Sequence, residues 1–139
     1  MHVLGHTDVI RDGSSLDPAA SDLKRLRSWT EAERHCQSLG GHLASVHSWK
    51  ESRFLETLTV GSPLTWIGGN DGGWPELTKD RSWSWTDGSG FNYHEWDEGE
   101  PNNYNGVREP CIQMNAGDQH RWNDDVCEKN CASVCSRNH

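Results

Sequence analysis

The chain has 139 residues, a formal net charge of -8 and a composition in which 32% of the residues are hydrophobic. This length suits a single domain, and the low apolar content predicts a modest core that needs covalent support. The acidic balance argues against nucleic acid or an anionic membrane surface as a partner, because both attract basic proteins; it is compatible with cation binding and equally with simple solubility.

The first part of the chain shows neither a helical stripe nor alternation of apolar and polar residues, and glycine, serine and proline interrupt it. We therefore predict an atypical or poorly ordered N-terminal segment over 1–27 and a folded domain over 28–139. No apolar run approaches the roughly 18 residues of a membrane span, so membrane insertion is not expected. The chain also begins without the apolar run of a signal peptide.

Two amphipathic helices are predicted in the first half of the chain. Ser28 and Glu31 form the pattern of a capping box, and Gly40 is placed to end the helix in the left-handed conformation. The apolar stripe of this first helix comprises Trp29, Ala32, Cys36 and Leu39, at helical spacing.

Ser48 and Glu51 repeat the capping pattern at the start of the second helix. Its buried face comprises Phe54, Leu55 and Leu58, and Gly61 and Pro63 end it.

The rest of the chain predicts short strands separated by a long glycine-rich segment. Strands are expected over 64–67, 111–115, 120–127 and 132–135. Helices first and strands afterwards indicate an α+β fold. Nine of the 14 glycines lie between Gly61 and Gly106, and so long a loop in a small domain suggests a ligand site or ordering by an ion. Trp83 and Trp85 within it are interpreted as core residues rather than as a sugar platform.

Oxygen-bearing side chains are concentrated between 96 and 127. Carboxylates and amides in this stretch are hard ligands, which suit calcium far better than zinc or copper. The candidate metal ligands are Glu100, Asn102, Glu109, Asn123 and Asp124. The sequence therefore predicts a Ca²⁺ site built in a loop.

Four of the five cysteines lie in the last 29 residues, without the Cys/His spacing of a zinc site. This pattern predicts a disulfide framework formed in an oxidising compartment, and hence a secreted, extracellular protein. Spacing alone leaves the pairing open, and one thiol remains unpaired in any arrangement. The cysteines are Cys36, Cys111, Cys127, Cys131 and Cys135.

No catalytic residues are predicted. The eight histidines are scattered, and neither a Ser/His/Asp arrangement nor a His-Glu-x-x-His motif accompanies them. Asp124 and Asp125 could suggest glycoside hydrolysis, which needs two carboxyl groups, but a cation-ligand pattern explains them more simply. The chain is therefore not expected to be an enzyme.

Taken together, the motifs over roughly 28–135 resemble a C-type lectin domain. The resemblance rests on the first helix from Trp29 to Cys36, Leu43-Ala44-Ser45-Val46, Trp66-Ile67-Gly68, Glu100-Pro101-Asn102, Trp122-Asn123-Asp124 and the spaced cysteines. It implies two helices packed on small antiparallel sheets, with a long calcium-binding loop. The first strand that is usual in this family is not visible in 1–27.

The resemblance also implies the pairing of the cysteines. Cys36 would pair with Cys135, and Cys111 with Cys127. Cys131 would then be either a buried thiol or a link between two chains in a homodimer.

In the family, calcium and sugar share one set of side chains. The resemblance implies one calcium ion on the five ligands named above, with Pro101 in the cis conformation. The order Glu100 then Asn102 resembles the mannose-type arrangement, and Tyr104 lies where relatives pack a side chain on the sugar. The expected carbohydrate-binding residues are Glu100, Asn102, Tyr104, Glu109, Asn123 and Asp124.

Two alternatives accompany this lectin hypothesis. Calcium could order the loop without binding a sugar. The chain also resembles type II antifreeze proteins, which share the fold and bind ice, although those relatives carry more cysteines. Ice is therefore the alternative partner to mannose-type glycans.

Overall fold

A computed structural model describes residues 7–10, 25–59, 61, 63–72, 82–102 and 109–138. The helices in these ranges are α1 (Trp29–Ser38) and α2 (Trp49–Leu58). The strands are β1 (Thr7–Ile10), β2 (His42–Leu43), β3 (Thr65–Asn70), β4 (Ser84–Trp85), β5 (Cys111–Ala116), β6 (Arg121–Asp125), β7 (Ala132–Ser133) and β8 (Cys135–Asn138).

The strands form two small sheets. One has the order β1-β8-β2, and the other has the order β4-β3-β5-β6, with β7 pairing in parallel to β3. The other pairings are antiparallel. The predicted α+β architecture of two helices with small antiparallel sheets is therefore confirmed.

Strand β1 was not predicted from the sequence. It pairs antiparallel with β8, so that Thr7 lies opposite Asn138 and Ile10 opposite Cys135. Four residues carry too short a pattern to reveal a strand, and an edge strand of this kind is defined by its partner. The boundary that separates 1–27 from 28–139 stays a prediction.

Helix α1 begins and ends as the sequence predicts. The Ser28 hydroxyl accepts a hydrogen bond from the Glu31 amide at 3.2 Å, and the Glu31 carboxylate accepts one from the Ser28 amide at 3.1 Å. Gly40 follows with φ of +86°, a conformation that glycine adopts without steric cost. Ala32 and Cys36 face the core and are completely buried.

Helix α2 carries only half of the predicted capping box. The Ser48 hydroxyl accepts from the Glu51 amide at 3.2 Å, but the Glu51 carboxylate accepts from the amide of His47, at 2.9 Å. Leu55 is completely buried, while Phe54 and Leu58 are partly buried against the core.

Strand β5 is the centre of the larger sheet. Its existence is confirmed, but all six residues are buried, so the apparent alternation does not separate a wet face from a dry one. Ile112 and Met114 join one apolar cluster and Cys111 joins a second. A strand covered on both faces buries even its polar members, such as Gln113.

The two disulfides implied by the resemblance are present. Cys36 pairs with Cys135 across 99 residues, and Cys111 pairs with Cys127 across 16. In the chain-entropy model, loops of about 100 and about 15 residues correspond to roughly 4.7 and 3 kcal/mol of stabilisation. These links support a domain with few apolar residues.

Cys131 is a buried free thiol with 5% exposure. Its sulfur accepts a hydrogen bond from Gln113 Nε2 at 3.1 Å. Burial, as the largest cause, raises the pKa of this thiol and keeps it in the unreactive protonated form. The structure therefore favours the buried-thiol alternative, and a link between two chains would require Cys131 to leave this position.

Aromatic rings order the segment 82–102. Trp85 and Trp96 meet Trp122 edge-on, with ring centroids 5.6 and 5.9 Å away, and Phe91 and Tyr93 pack on the same indole. Trp85 is only 3% exposed, which confirms its interpretation as core, and Trp83 packs on Trp96. This part of the long loop is thus held by packing, and its length alone does not require an ion.

Glu33 connects α1 to both the smaller sheet and the loop. It is 7% exposed. Its Oε1 accepts from the Leu43 amide at 2.9 Å and from Thr86 Oγ1 at 3.0 Å. Its Oε2 lies 2.7 Å from both Gln37 Nε2 and His42 Nδ1.

Replacing Glu33 with glutamine should destabilise the fold. The amide introduces an NH2 group where the carboxylate accepts hydrogen bonds, and it removes the charge that strengthens them. We expect a loss of about 1.5–3 kcal/mol in the free energy of unfolding, measured by urea denaturation. Glu128→Gln makes the same chemical change at an exposed position and should stay within about 0.5 kcal/mol of the wild type. Equal stability of both variants would contradict this role.

Candidate functional site

Strand β6 positions the first part of the site. In the antiparallel pair with β5, Asn123 lies opposite Gln113 and Asp124 lies opposite Ile112. Glu109 precedes β5 by two residues and is 8% exposed, and Asp124 is 1% exposed. The two carboxylates therefore belong to the same end of the larger sheet.

The Glu-Pro-Asn segment is brought to β6 by backbone hydrogen bonds around Trp122. The Trp122 amide donates to the Glu95 carbonyl at 2.8 Å, and the Asp97 amide donates to the Trp122 carbonyl at 2.7 Å. A turn follows, closed by the Glu100 amide and the Asp97 carbonyl at 2.9 Å. This turn delivers Glu100 beside the strand.

Direct contacts then join the predicted ligands. The Asn102 amide donates to both oxygens of the Asp124 carboxylate, at 3.0 and 3.2 Å, and Asn102 Nδ2 donates to Glu100 Oε2 at 3.1 Å. Asn123 Nδ2 donates to the Asp124 carbonyl at 3.2 Å. The peptide bond between Glu100 and Pro101 is cis, as expected. Glu100, Asn102 and Asp124 therefore form one cluster, and Asn123 adjoins it through the Asp124 backbone.

The cluster is strongly acidic. Burial, followed by a hydrogen bond with the Asp124 carboxylate and by the charges of Asp124, Glu109 and Asp97, raises the pKa of Glu100 from 4.5 to about 8. Glu109 thus contributes to this shift through its charge.

Two oxygens, one in the cluster and one beside it, accept no hydrogen bond within the described ranges. Glu100 Oε1 and Asn123 Oδ1 are both buried, and neither accepts a hydrogen bond from the described part of the chain. Buried acceptors are normally satisfied, so an unpartnered oxygen next to concentrated negative charge is a position that a cation would stabilise.

The donor set suits calcium rather than a transition metal. Across the described ranges, no group of three His, Cys, Asp or Glu side chains is arranged to hold a metal ion. This includes Glu100, Glu109 and Asp124, the three carboxylates of the predicted set, so these side chains are not arranged around one ion position in the structure. Carboxylate and amide oxygens are the ligands that Ca²⁺ prefers. Tyr104, the expected sugar-packing residue, lies outside the described residues.

Asp97 is a member of this region that the sequence pattern did not single out. Its charge contributes to the raised pKa of Glu100, and its backbone carbonyl closes the turn before Glu100. Its carboxylate also lies against Gly117, where an added Cβ would come within 2.7 Å of Asp97 Oδ2. The available signal was an acidic residue three positions before Glu100, directly after Trp96.

Comparison with known proteins identifies the class of protein that this fold and site define. The family model of the lectin C-type domain matches residues 25–137. The chain belongs to the C-type lectin domain family.

Named relatives fall into two groups. The chain is 52% identical over 109 residues to ladderlectin of Oncorhynchus mykiss, covering 76% of this chain and 54% of that protein. It is 36% identical over 109 residues to the type-2 ice-structuring protein of Hemitripterus americanus, covering 78% of this chain and 61% of the relative. The chain thus spans little more than half the length of these relatives.

The herring type II antifreeze protein is similar in structure, with a TM-score of 0.72 and 33% sequence identity. The match covers 83% of this chain and 86% of the antifreeze chain. No helix within the described ranges is long and apolar enough to cross a membrane.

The raised pKa of Glu100 predicts an unusual pH dependence of stability in a calcium chelator. The folded chain retains this proton up to about pH 8, whereas the unfolded chain releases it near 4.5. Between these values the folded state binds more protons, so the free energy of unfolding should fall as pH rises. The stabilisation is fully present below the lower value and is lost as pH passes the upper one.

Urea denaturation at several pH values, with chelator present, checks this dependence. Glu100→Gln mimics the neutral acid and should remove the contribution of Glu100 to the change in unfolding free energy with pH. The quantity to follow is the difference in unfolding free energy between the wild type and this variant. Glu128→Gln should retain the wild-type slope. A difference that does not change with pH would show that Glu100 titrates normally.

Proposed function

We propose that this protein is a calcium-dependent lectin that binds mannose-type sugars. The observation that best supports this function is the acidic cluster around Glu100, Asn102 and Asp124, with the unpartnered oxygens of Glu100 and Asn123. Membership in the C-type lectin domain family supports the same assignment.

The residues that would hold the ion are Glu100, Asn102, Glu109, Asn123 and Asp124. Bound calcium would supply open coordination positions for two vicinal sugar hydroxyls, because it accepts six to eight oxygen ligands. Its positive charge would also favour the ionised form of Glu100, whose pKa is raised by burial and then by the neighbouring carboxylates.

The chain's own side chains would orient the sugar. A Glu100 oxygen can accept a hydrogen bond from a sugar hydroxyl, and Asn102 Nδ2 can donate one. Asn102 is exposed, and its NH2 group already donates to Glu100 Oε2, so it lies at the solvent side of the cluster. Tyr104 is proposed to pack on the sugar ring.

The specificity for mannose rests on the order of the two side chains around the cis proline. Glu100 precedes Asn102, as in the mannose-type arrangement, whereas galactose-type relatives carry Gln-Pro-Asp. The two disulfides suit an oxidising compartment, and we propose that the protein acts as a secreted, extracellular lectin.

Chromatography on immobilised mannan tests this function. The wild type should be retained with calcium and released by a chelator. Glu100→Gln and Asp124→Asn keep the size of the side chains but remove negative charge, and each should weaken retention at least about tenfold, since hydrogen bonds and ligation to charged groups are worth more than 1.4 kcal/mol.

The control is Glu128→Gln, whose exposed side chain lies outside the cluster and which should elute like the wild type. Retention that survives the chelator would overturn the role of calcium. Failure of the wild type to bind mannan with calcium would overturn mannose recognition.

Ice binding is the second candidate function, favoured by the structural similarity to the herring type II antifreeze protein. If it holds, the protein should depress the freezing point below the melting point, and the difference should increase with protein concentration. Nanolitre osmometry, with and without chelator, measures this hysteresis. Equal freezing and melting points at millimolar protein, combined with retention on mannan, would exclude the ice-binding function.

A further inference from the structure

A cavity lies between the start of α2, residues 93–95 and the turn that joins β5 to β6. Its volume is about 240 Å³. Its charged lining residues are Arg53, Glu95 and Arg121, and Trp49, Tyr93, His94 and Gln119 complete the wall. Ligand pockets for drug-sized molecules are about 300–1,000 Å³, so this cavity suits a single small ring.

Trp49 provides an unusual exposed surface for this cavity. It is 59% exposed, although α2 packs its other large apolar residues toward the core. The Arg53 guanidinium lies over the indole, 5.4 Å from the ring centroid. A cation over the ring holds the side chain in place, so that its open surface is available to cover the C–H face of a sugar.

The two arginines of the cavity differ in their partners. Arg53 forms ion pairs with Glu56 and with the buried carboxylate of Glu95, 2.9 Å from its Nη2. Arg121 makes one hydrogen bond, from Nε to the side-chain carbonyl of Gln119 at 2.9 Å, and within the described ranges no carboxylate pairs with it. Its outer N–H groups can therefore donate two hydrogen bonds to one anionic group.

The cavity is adjacent to the acidic cluster. Arg121 and Asn123 are two residues apart on β6, so they lie on the same face of the strand and about 7 Å apart. A wider cleft of about 570 Å³ shares Gln119 and Arg121 with the cavity and extends to Asp97. A glycan held at the cluster could thus reach the cavity along the surface.

We propose that this cavity is a second subsite, independent of calcium, for a sugar that carries a carboxylate. Arg121 binds the carboxylate, and the indole of Trp49 covers the ring. The inference rests on the proposed function only in assigning a sugar as the ligand. The acceptors on the adjoining cleft, Asp97 among them, serve the hydroxyls of the next sugar.

The test uses methyl α-D-glucuronide as the probe and methyl α-D-glucoside as its neutral counterpart. Both are titrated into the full chain in a calcium chelator, and two-dimensional ¹H–¹⁵N NMR follows the indole N–H of Trp49. The glucuronide should shift this resonance saturably, and the glucoside should bind at least about tenfold more weakly, because it lacks the charged partner of Arg121.

Variants separate the contributions. Arg121→Gln should reduce the affinity for the glucuronide to that for the glucoside. Trp49→Ala should weaken the binding of both sugars, which is then followed through the amide resonance of Gln119. Lys50→Gln removes a positive charge from an exposed position of α2 that does not line the cavity, and it should bind like the wild type.

Equal affinity for the two sugars, or wild-type affinity of Arg121→Gln, would overturn the carboxylate subsite. An unmoved Trp49 resonance at saturating glucuronide would overturn the cavity as the site. These measurements exclude calcium, so a failure of mannan binding leaves their outcome unaffected and the two proposals are distinguishable.

Discussion

The site depends on Trp122, through the packing of its side chain and the hydrogen bonds of its backbone. Its side chain is 1% exposed and is surrounded by the rings of the long loop, while its backbone is hydrogen-bonded to Glu95 and Asp97. The alternation of side chains along β6 then sends Arg121 and Asn123 to the opposite face. One residue therefore both anchors the loop and sets the orientation of its polar neighbours.

A second core supports the chain ends and the first helix. Trp66 is completely buried, and its indole N–H lies 3.1 Å from the Arg27 carbonyl and 3.2 Å from that of Lys129. Trp29 similarly donates to the Ile67 carbonyl at 2.9 Å. Both of these indoles satisfy their one polar group, which is the condition for burying an indole at low cost. Few apolar residues suffice because these rings cover so much area.

The predictable part of the fold was local in origin. Capping residues and apolar spacing located both helices, and the motifs around Pro101 and Trp122 identified the cluster. Contacts between distant segments were not accessible in this way. Three features require the folded chain to bring remote residues together. They are the pairing of Thr7–Ile10 with β8, the hydrogen bonds of Glu33 and the position of Asp97. The Glu51 carboxylate accepts a hydrogen bond from the His47 amide, because that amide also needs a partner.

The aromatic packing bears on what an ion in the acidic cluster would do. Segment 82–102 is already ordered by rings and by backbone pairing to β6, so ordering it requires no cation. Burial and, after it, the neighbouring carboxylates nevertheless raise the pKa of Glu100, which costs stability at neutral pH. Ionising Glu100 beside Asp124 and Glu109 is therefore unfavourable without a counter-ion. The packing of segment 82–102 therefore does not explain why these acidic side chains are held together.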